Sequence, residues 1–148
     1  MTAIAFLLAT AALPTQGRFD LVCSGTRQEA VGELRAPAEA WSGRLAVDLG
    51  LGRVRPDEAD ENLRLLPGPP DRLVVQDEVK GFGDAVVRLE AHVDRATGAY
   101  AATSGTEVGD SFRQETTIRA ACTVAPFTRL AEKDAPEPVP EPGPPAPR

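Results

Sequence analysis

Apolar and polar residues alternate one for one along much of this chain, the period of a strand with one face on a core and the other in water. The alternation is strict in Val87-Arg88-Leu89-Glu90-Ala91-His92-Val93-Asp94. Leu45, Val47, Leu49 and Leu51 repeat it against Ala46, Asp48 and Gly50, and Leu73-Val74-Val75 opens a run that reaches Val79. Phe112, Ile118, Cys122 and Val124 share one face of a long final run from Ser111, and Phe19, Leu21 and Cys23 share a face near the start. Turn signals separate the runs: Asp94-Arg95-Ala96-Thr97-Gly98 and Gly81-Phe82-Gly83-Asp84 both supply a glycine for a positive φ. Pro56 to Asp71 reads mainly as a long loop, with room for one short helical turn before Pro67. The pattern predicts an all-β domain, a small antiparallel meander of seven or eight strands closing into a barrel, with a sandwich as the alternative.

The cysteines sharpen this prediction. The chain has two, Cys23 in the first run and Cys122 in the last, and both fall on the core-facing parity of their strands. A one-residue slip would have turned either one outward. A Cys23–Cys122 disulfide would join the first strand to the last, which suits a closed barrel, and bridges of this kind persist in oxidising compartments. Neither thiol is then available for metal or catalysis.

The two ends of the chain differ in text from the middle. Ala3 to Leu13 is an uncharged apolar run, too short for the roughly 20 residues of a spanning helix, and Thr15 and Gly17 supply small residues behind it. Residues 1–17 therefore read as a signal peptide, which leaves no integral membrane segment and places the mature protein in the periplasm or outside the cell. Asp20, Leu21 and Val22 ahead of Cys23 do not form a lipoprotein signal. From Ala131 onward the sequence AEKDAPEPVPEPGPPAPR is too rich in proline to supply ladder donors or a core, so residues 131–148 read as a disordered tail. One domain remains, residues 18–130. A formal net charge of −6 argues against nucleic acid and anionic membrane surfaces as partners. The expected partner of this monomer is an unidentified protein or a small ligand.

Candidate chemistry is sparse. Gly109-Asp110-Ser111 matches the start of a GDS-type esterase motif, but a serine nucleophile needs a histidine base, and the one histidine, His92, lies upstream on the polar face of a strand. His92 alone is a poor metal site, because zinc draws on three or four clustered ligands. The acidic group Asp57, Glu58, Asp60 and Glu61 lacks the spacing and central glycine of a calcium loop. Gly50–Gly52 and Gly81–Gly83 lack the third glycine and the helix of a phosphate-binding turn. Trp41 and Tyr100, the large amphipathic aromatics, read as core or barrel-mouth packing. No catalytic, cofactor-binding or metal-ligating set emerges, and no cofactor is expected.

Two resemblances add to this reading. Asp20-Leu21-Val22-Cys23-Ser24-Gly25-Thr26, Val47-Asp48-Leu49, Asp94-Arg95-Ala96-Thr97-Gly98-Ala99-Tyr100 and Cys122-Thr123-Val124-Ala125-Pro126-Phe127 together resemble the layout of a group of uncharacterised exported bacterial proteins with a small β domain. That resemblance implies the fold and export and carries no activity. The chain also resembles, more distantly, barrel-type periplasmic lysozyme inhibitors, which begin on a strand carrying an aromatic and a cysteine and use a Ser-Gly-x-x-Tyr loop. Thr97-Gly98-Ala99-Tyr100 departs from that loop by a threonine for the serine and by one residue fewer before the tyrosine. The expected function is a non-catalytic exported β domain of binding or envelope-associated type. A lysozyme inhibitor is the alternative, and a GDS-type hydrolase follows behind it.

Overall fold

The computed structural model describes residues 12–57, 62–81, 83–128 and Gly143. Every regular element among them is a strand: β1 (Arg18–Val31), β2 (Leu34–Arg35), β3 (Glu39–Asp48), β4 (Arg53–Pro56), β5 (Leu63–Leu66), β6 (Arg72–Lys80), β7 (Ala85–Asp94), β8 (Ala99–Val108) and β9 (Phe112–Ala125). From β3 onward each strand pairs antiparallel with the next, and β1 lies between β3 and β9, so eight strands close on themselves with β2 as an added flap on β1. The predicted meander and barrel are therefore present, in the eight-stranded form. The predicted leader and tail fall largely outside the described residues.

The β1–β9 seam closes the barrel. It runs antiparallel from Asp20 opposite Ala125 to Val31 opposite Gln114, with Cys23 directly facing Cys122. The two sulfurs are bonded, as strand parity predicted. Gly98, in the turn between β7 and β8, locks the same place, accepting the Cys122 N–H through its carbonyl at 2.9 Å. Gly98 has φ 73°, and a Cβ there would run into the Cys122 carbonyl oxygen, so glycine is required on two counts. The turn itself is held by Asp94, whose Oδ1 accepts the N–H groups of Ala96 and Thr97 at 2.9 and 2.8 Å.

Two expectations are corrected. The segment Pro56 to Asp71 is not simply a loop: Leu63, Arg64, Leu65 and Leu66 form β5, which pairs with β4 and β6, and no helical turn occurs among its described residues. The prolines that flank this short run concealed its alternation. The run read from Leu45 to Leu51 ends at Asp48, because the Asp48 carboxylate accepts the Leu51 N–H at 2.9 Å and turns the chain, leaving Leu51 exposed. Phe112 and Val124 share the inward face of β9 with Ile118 and Cys122 as expected, and both are exposed, because alternation reports a side of the sheet and not what covers it. Near the far end of β1, Arg27 faces Glu39 while Ala30 faces Arg35, so three residues including Pro37 oppose two. That bulge accommodates a proline with no N–H to offer the ladder.

The core is the lower half of the barrel: Phe19, Leu21, Leu45, Val47, Val54, Leu73, Val75 and Val93 are all buried. The disulfide closes a loop with a sequence separation of 99 through this core. Removing a native disulfide from a small domain costs about 2–5 kcal/mol. Replacing Cys23 with Ala is expected to lower the melting temperature by about 10 °C or more. A scan in which the variant and the oxidised wild type melt together would contradict a structural role for the bridge.

Candidate functional site

Eight tilted strands leave an interior just wide enough to be filled by side chains or to hold one small ligand. Here it is not filled: a cavity of about 300 Å³ runs inside the barrel. That is the lower end of the range for small-molecule sites, about 300–1,000 Å³.

Small residues on the seam make room for two aromatic rings that border it. Gly25 of β1 is paired with Trp41 on one side and with Ala120 on the other, and Ala120 is paired with Tyr100. Trp41 and Tyr100 reach over these two small residues and stack, ring centroids 5.9 Å apart and planes 20° from parallel. Any side chain at Gly25 would collide with the Arg119 carbonyl and Ala120, and one at Gly43 would collide with the Trp41 ring. Glycines inside strands mark such close approaches, a signal in the sequence that went unread. Burial raises the pKa of the Tyr100 hydroxyl, which keeps the ring neutral through the physiological range.

The cavity has a floor, a thin wall and a mouth. The floor is crossed by residues 13–17. Leu13 donates its N–H to the Arg95 carbonyl at 2.8 Å, Gly17 accepts the Leu49 N–H at 3.0 Å, and the Leu13 side chain is only 5% exposed. The wall is thinnest at β4 and β5, which share two residue pairs. At the other end β6 to β9 and β1 continue beyond these short strands, and the inward positions bear Leu89, Ser104 and Thr116 as part of the cavity lining. Beyond them Val31, Leu34, Val87, Val108 and Phe112 carry the inward parity to the rim, where all five are exposed. The outside of the same strands is charged. Arg88 bonds Glu78 at 2.9 Å and Glu107 at 3.0 Å, and Arg113 bonds Glu115 at 3.1 Å. The inward positions near the mouth also include Arg27, Glu29, Asp77 and Gln114, so the apolar lining belongs to the deeper half, and the charged outer face is unlike the apolar outer band of a lipid-facing barrel. Among the described residues, no helix is long and apolar enough to cross a membrane.

The residues singled out in the sequence fall in scattered places. Ser111 sits in the turn between β8 and β9 at the mouth end, its hydroxyl donating to the Val108 carbonyl at 3.2 Å. His92 pairs with Ala101, near the opposite end of β8, and faces outward into a shallow depression with Asp71, Arg72, Asp94 and Arg119. At about 3.3 Å per residue, Ser111 and His92 are roughly 20 Å apart along the sheet and do not form a nucleophile–base pair. Tyr100 turns into the lumen and is buried. Asp57 lies at the cavity edge, while Glu58, Asp60 and Glu61 lie outside the described residues. No cluster of metal-ligating side chains occurs among the described residues.

One polar group was missed entirely. Asp20 is completely buried on the outer face of β1, where the chain after β9 folds back over it. Its carboxylate takes the Arg44 guanidinium and, at 3.0 Å, the Thr128 N–H, while Arg44 also reaches the Pro126 carbonyl at 3.1 Å. Burial works to raise the Asp20 pKa, but the Thr128 N–H and the Arg44 guanidinium outweigh it and hold the carboxyl below its usual range. This ion pair fastens a strap across the barrel and stands outside the cavity. Asp48 is similar, buried and bonded to Arg18 at 3.0 Å.

No protein family, curated protein or solved structure matches the chain.

Because the folded pKa of Asp20 is depressed, its contribution to stability is complete above the unfolded value near pH 4 and is lost as pH falls through the lower folded value. Asp20→Asn is therefore expected to melt below the wild type at pH 7 and to approach it as the pH is lowered toward 2. Melting curves that keep a constant gap over that range would contradict the assignment.

Proposed function

We propose that this chain is an exported, non-catalytic β-barrel that holds one small, mostly apolar ligand in its lumen. The observation that carries the reading is the cavity itself, about 300 Å³ of space bordered by the stacked Trp41 and Tyr100 and by inward aliphatic side chains such as Leu45, Leu73 and Val75. A barrel with no ligand to bind gains from filling such space, since lining atoms that face a void lose their dispersion contacts. The apolar wall supplies affinity through area removed from water. Ser104 and Thr116, hydroxyls on the inward faces of β8 and β9, supply the few polar contacts that orient a guest. The exposed apolar rim offers a path from the mouth to the interior. The Cys23–Cys122 disulfide supports an oxidising compartment, periplasmic or extracellular. The formal charge of −6 supports a small ligand or a protein as the partner over nucleic acid.

Trp41 is the chain's single tryptophan and it lines the cavity, so occupancy has a built-in reporter. Titration with N-phenyl-1-naphthylamine, an uncharged aromatic probe, is expected to give saturable energy transfer from Trp41 at one probe per chain. Ala102→Phe, which places a ring in the lumen, is expected to weaken that binding at least tenfold while the disulfide-bonded fold persists; Ser104→Leu provides a milder filling of the same space. Transfer that does not saturate, or that both variants leave unchanged, would place the probe elsewhere and end the lumen reading.

A further inference from the structure

The floor of the barrel bears on where the leader is removed. Thr15 and Gly17 are small residues placed for a cut after Gly17. Such a cut would discard residues that the barrel uses. Leu13 is 5% exposed and belongs to the hydrophobic core, its N–H is bonded to the Arg95 carbonyl, and the chain from there to Gly17 is tied at its far end by the Leu49 N–H. Gly17 has φ 85°, so the segment turns into β1 through a conformation reserved for glycine. A floor strap anchored at both ends, with a buried leucine in it, belongs to a folded domain and not to a discarded peptide.

A second set of small residues lies just upstream. Ala9-Thr10-Ala11 places alanine at the first and third positions before the Ala11–Ala12 bond, behind the apolar run from Ala3 to Leu8. Small residues at those two positions are what a signal peptidase reads. We infer that the leader is removed between Ala11 and Ala12, so that the mature protein begins at Ala12 and keeps Leu13 as the barrel floor. The inference rests on the export reading above. Water adds across the Ala11–Ala12 amide under the host's signal peptidase, leaving a carboxylate on Ala11 and a free amine on Ala12. The cut is made on the extended chain during translocation, before the barrel forms, so the later burial of Leu13 does not obstruct it. One residue, Ala12, separates the bond from Leu13, and Ala12 itself is exposed.

The test is the N-terminus of the protein recovered from the periplasm or medium of a bacterial host expressing the full chain, read by intact mass and N-terminal sequencing. The expected product begins at Ala12. Ala11→Arg is expected to leave the precursor uncleaved, whereas Thr15→Arg is expected to leave the Ala12 terminus unchanged. A product beginning at Arg18, or at any residue past Leu13, overturns the inference and leaves export standing, as does exported but uncut chain. Full-length chain retained in the cytoplasm overturns the export reading and the inference with it. A second measurement compares chains beginning at Ala12 and at Arg18: loss of the floor is expected to lower the melting temperature by about 10 °C. Equal melting temperatures would remove the structural reason for the upstream cut.

Discussion

The pairing of the first strand with the last is the constraint on which the rest of this molecule depends. A meander of eight strands left open would present two unpaired edges and one apolar face with nothing to cover it. Joining β1 to β9 turns that face inward and makes it a lumen. The disulfide at Cys23 and Cys122 stands within this seam, and the Gly98 turn hydrogen-bonds to the same Cys122 backbone. Three separate interactions thus converge on the place where closure would otherwise begin to fail.

Closure also decides what the interior can do. The seam brings β1 and β9 so close at Gly25 that no side chain fits between them, and the aromatic pair bridges the gap above. A barrel of this strand number can be filled by ordinary aliphatic packing. Here the Trp41 ring lies against Gly43 and stacks on Tyr100, and both rings border the cavity that remains.

Much of this was legible in the sequence, for reasons that differ from residue to residue. Strict alternation marked β7, and the shared parity of Cys23 and Cys122 gave both the bridge and the closed topology. The short strand β5 was hidden because four residues hold too few alternations to outweigh the prolines on either side. Leu51 was misplaced because periodicity continues formally through a turn that the Asp48 carboxylate imposes. Asp20 could not have been identified at all: its burial depends on Pro126 and Thr128, distant in sequence, folding back across β1. Gly25 and Gly43, glycines inside strands, were local signals of close approach by the β9 backbone and the Trp41 ring, but the cavity itself depends on how the aromatic side chains lie.

The floor strap at residues 13–17 and the strap fastened by Asp20 and Arg44 lie at the same end of the barrel. The described barrel is therefore entered and left on one side, and the exposed rim of Val31, Val87, Val108 and Phe112 lies at the other. This gives the molecule a polarity, with its attachments behind and its opening in front. A body tethered through either end would hold the opening toward free solution, as a cup held by its base.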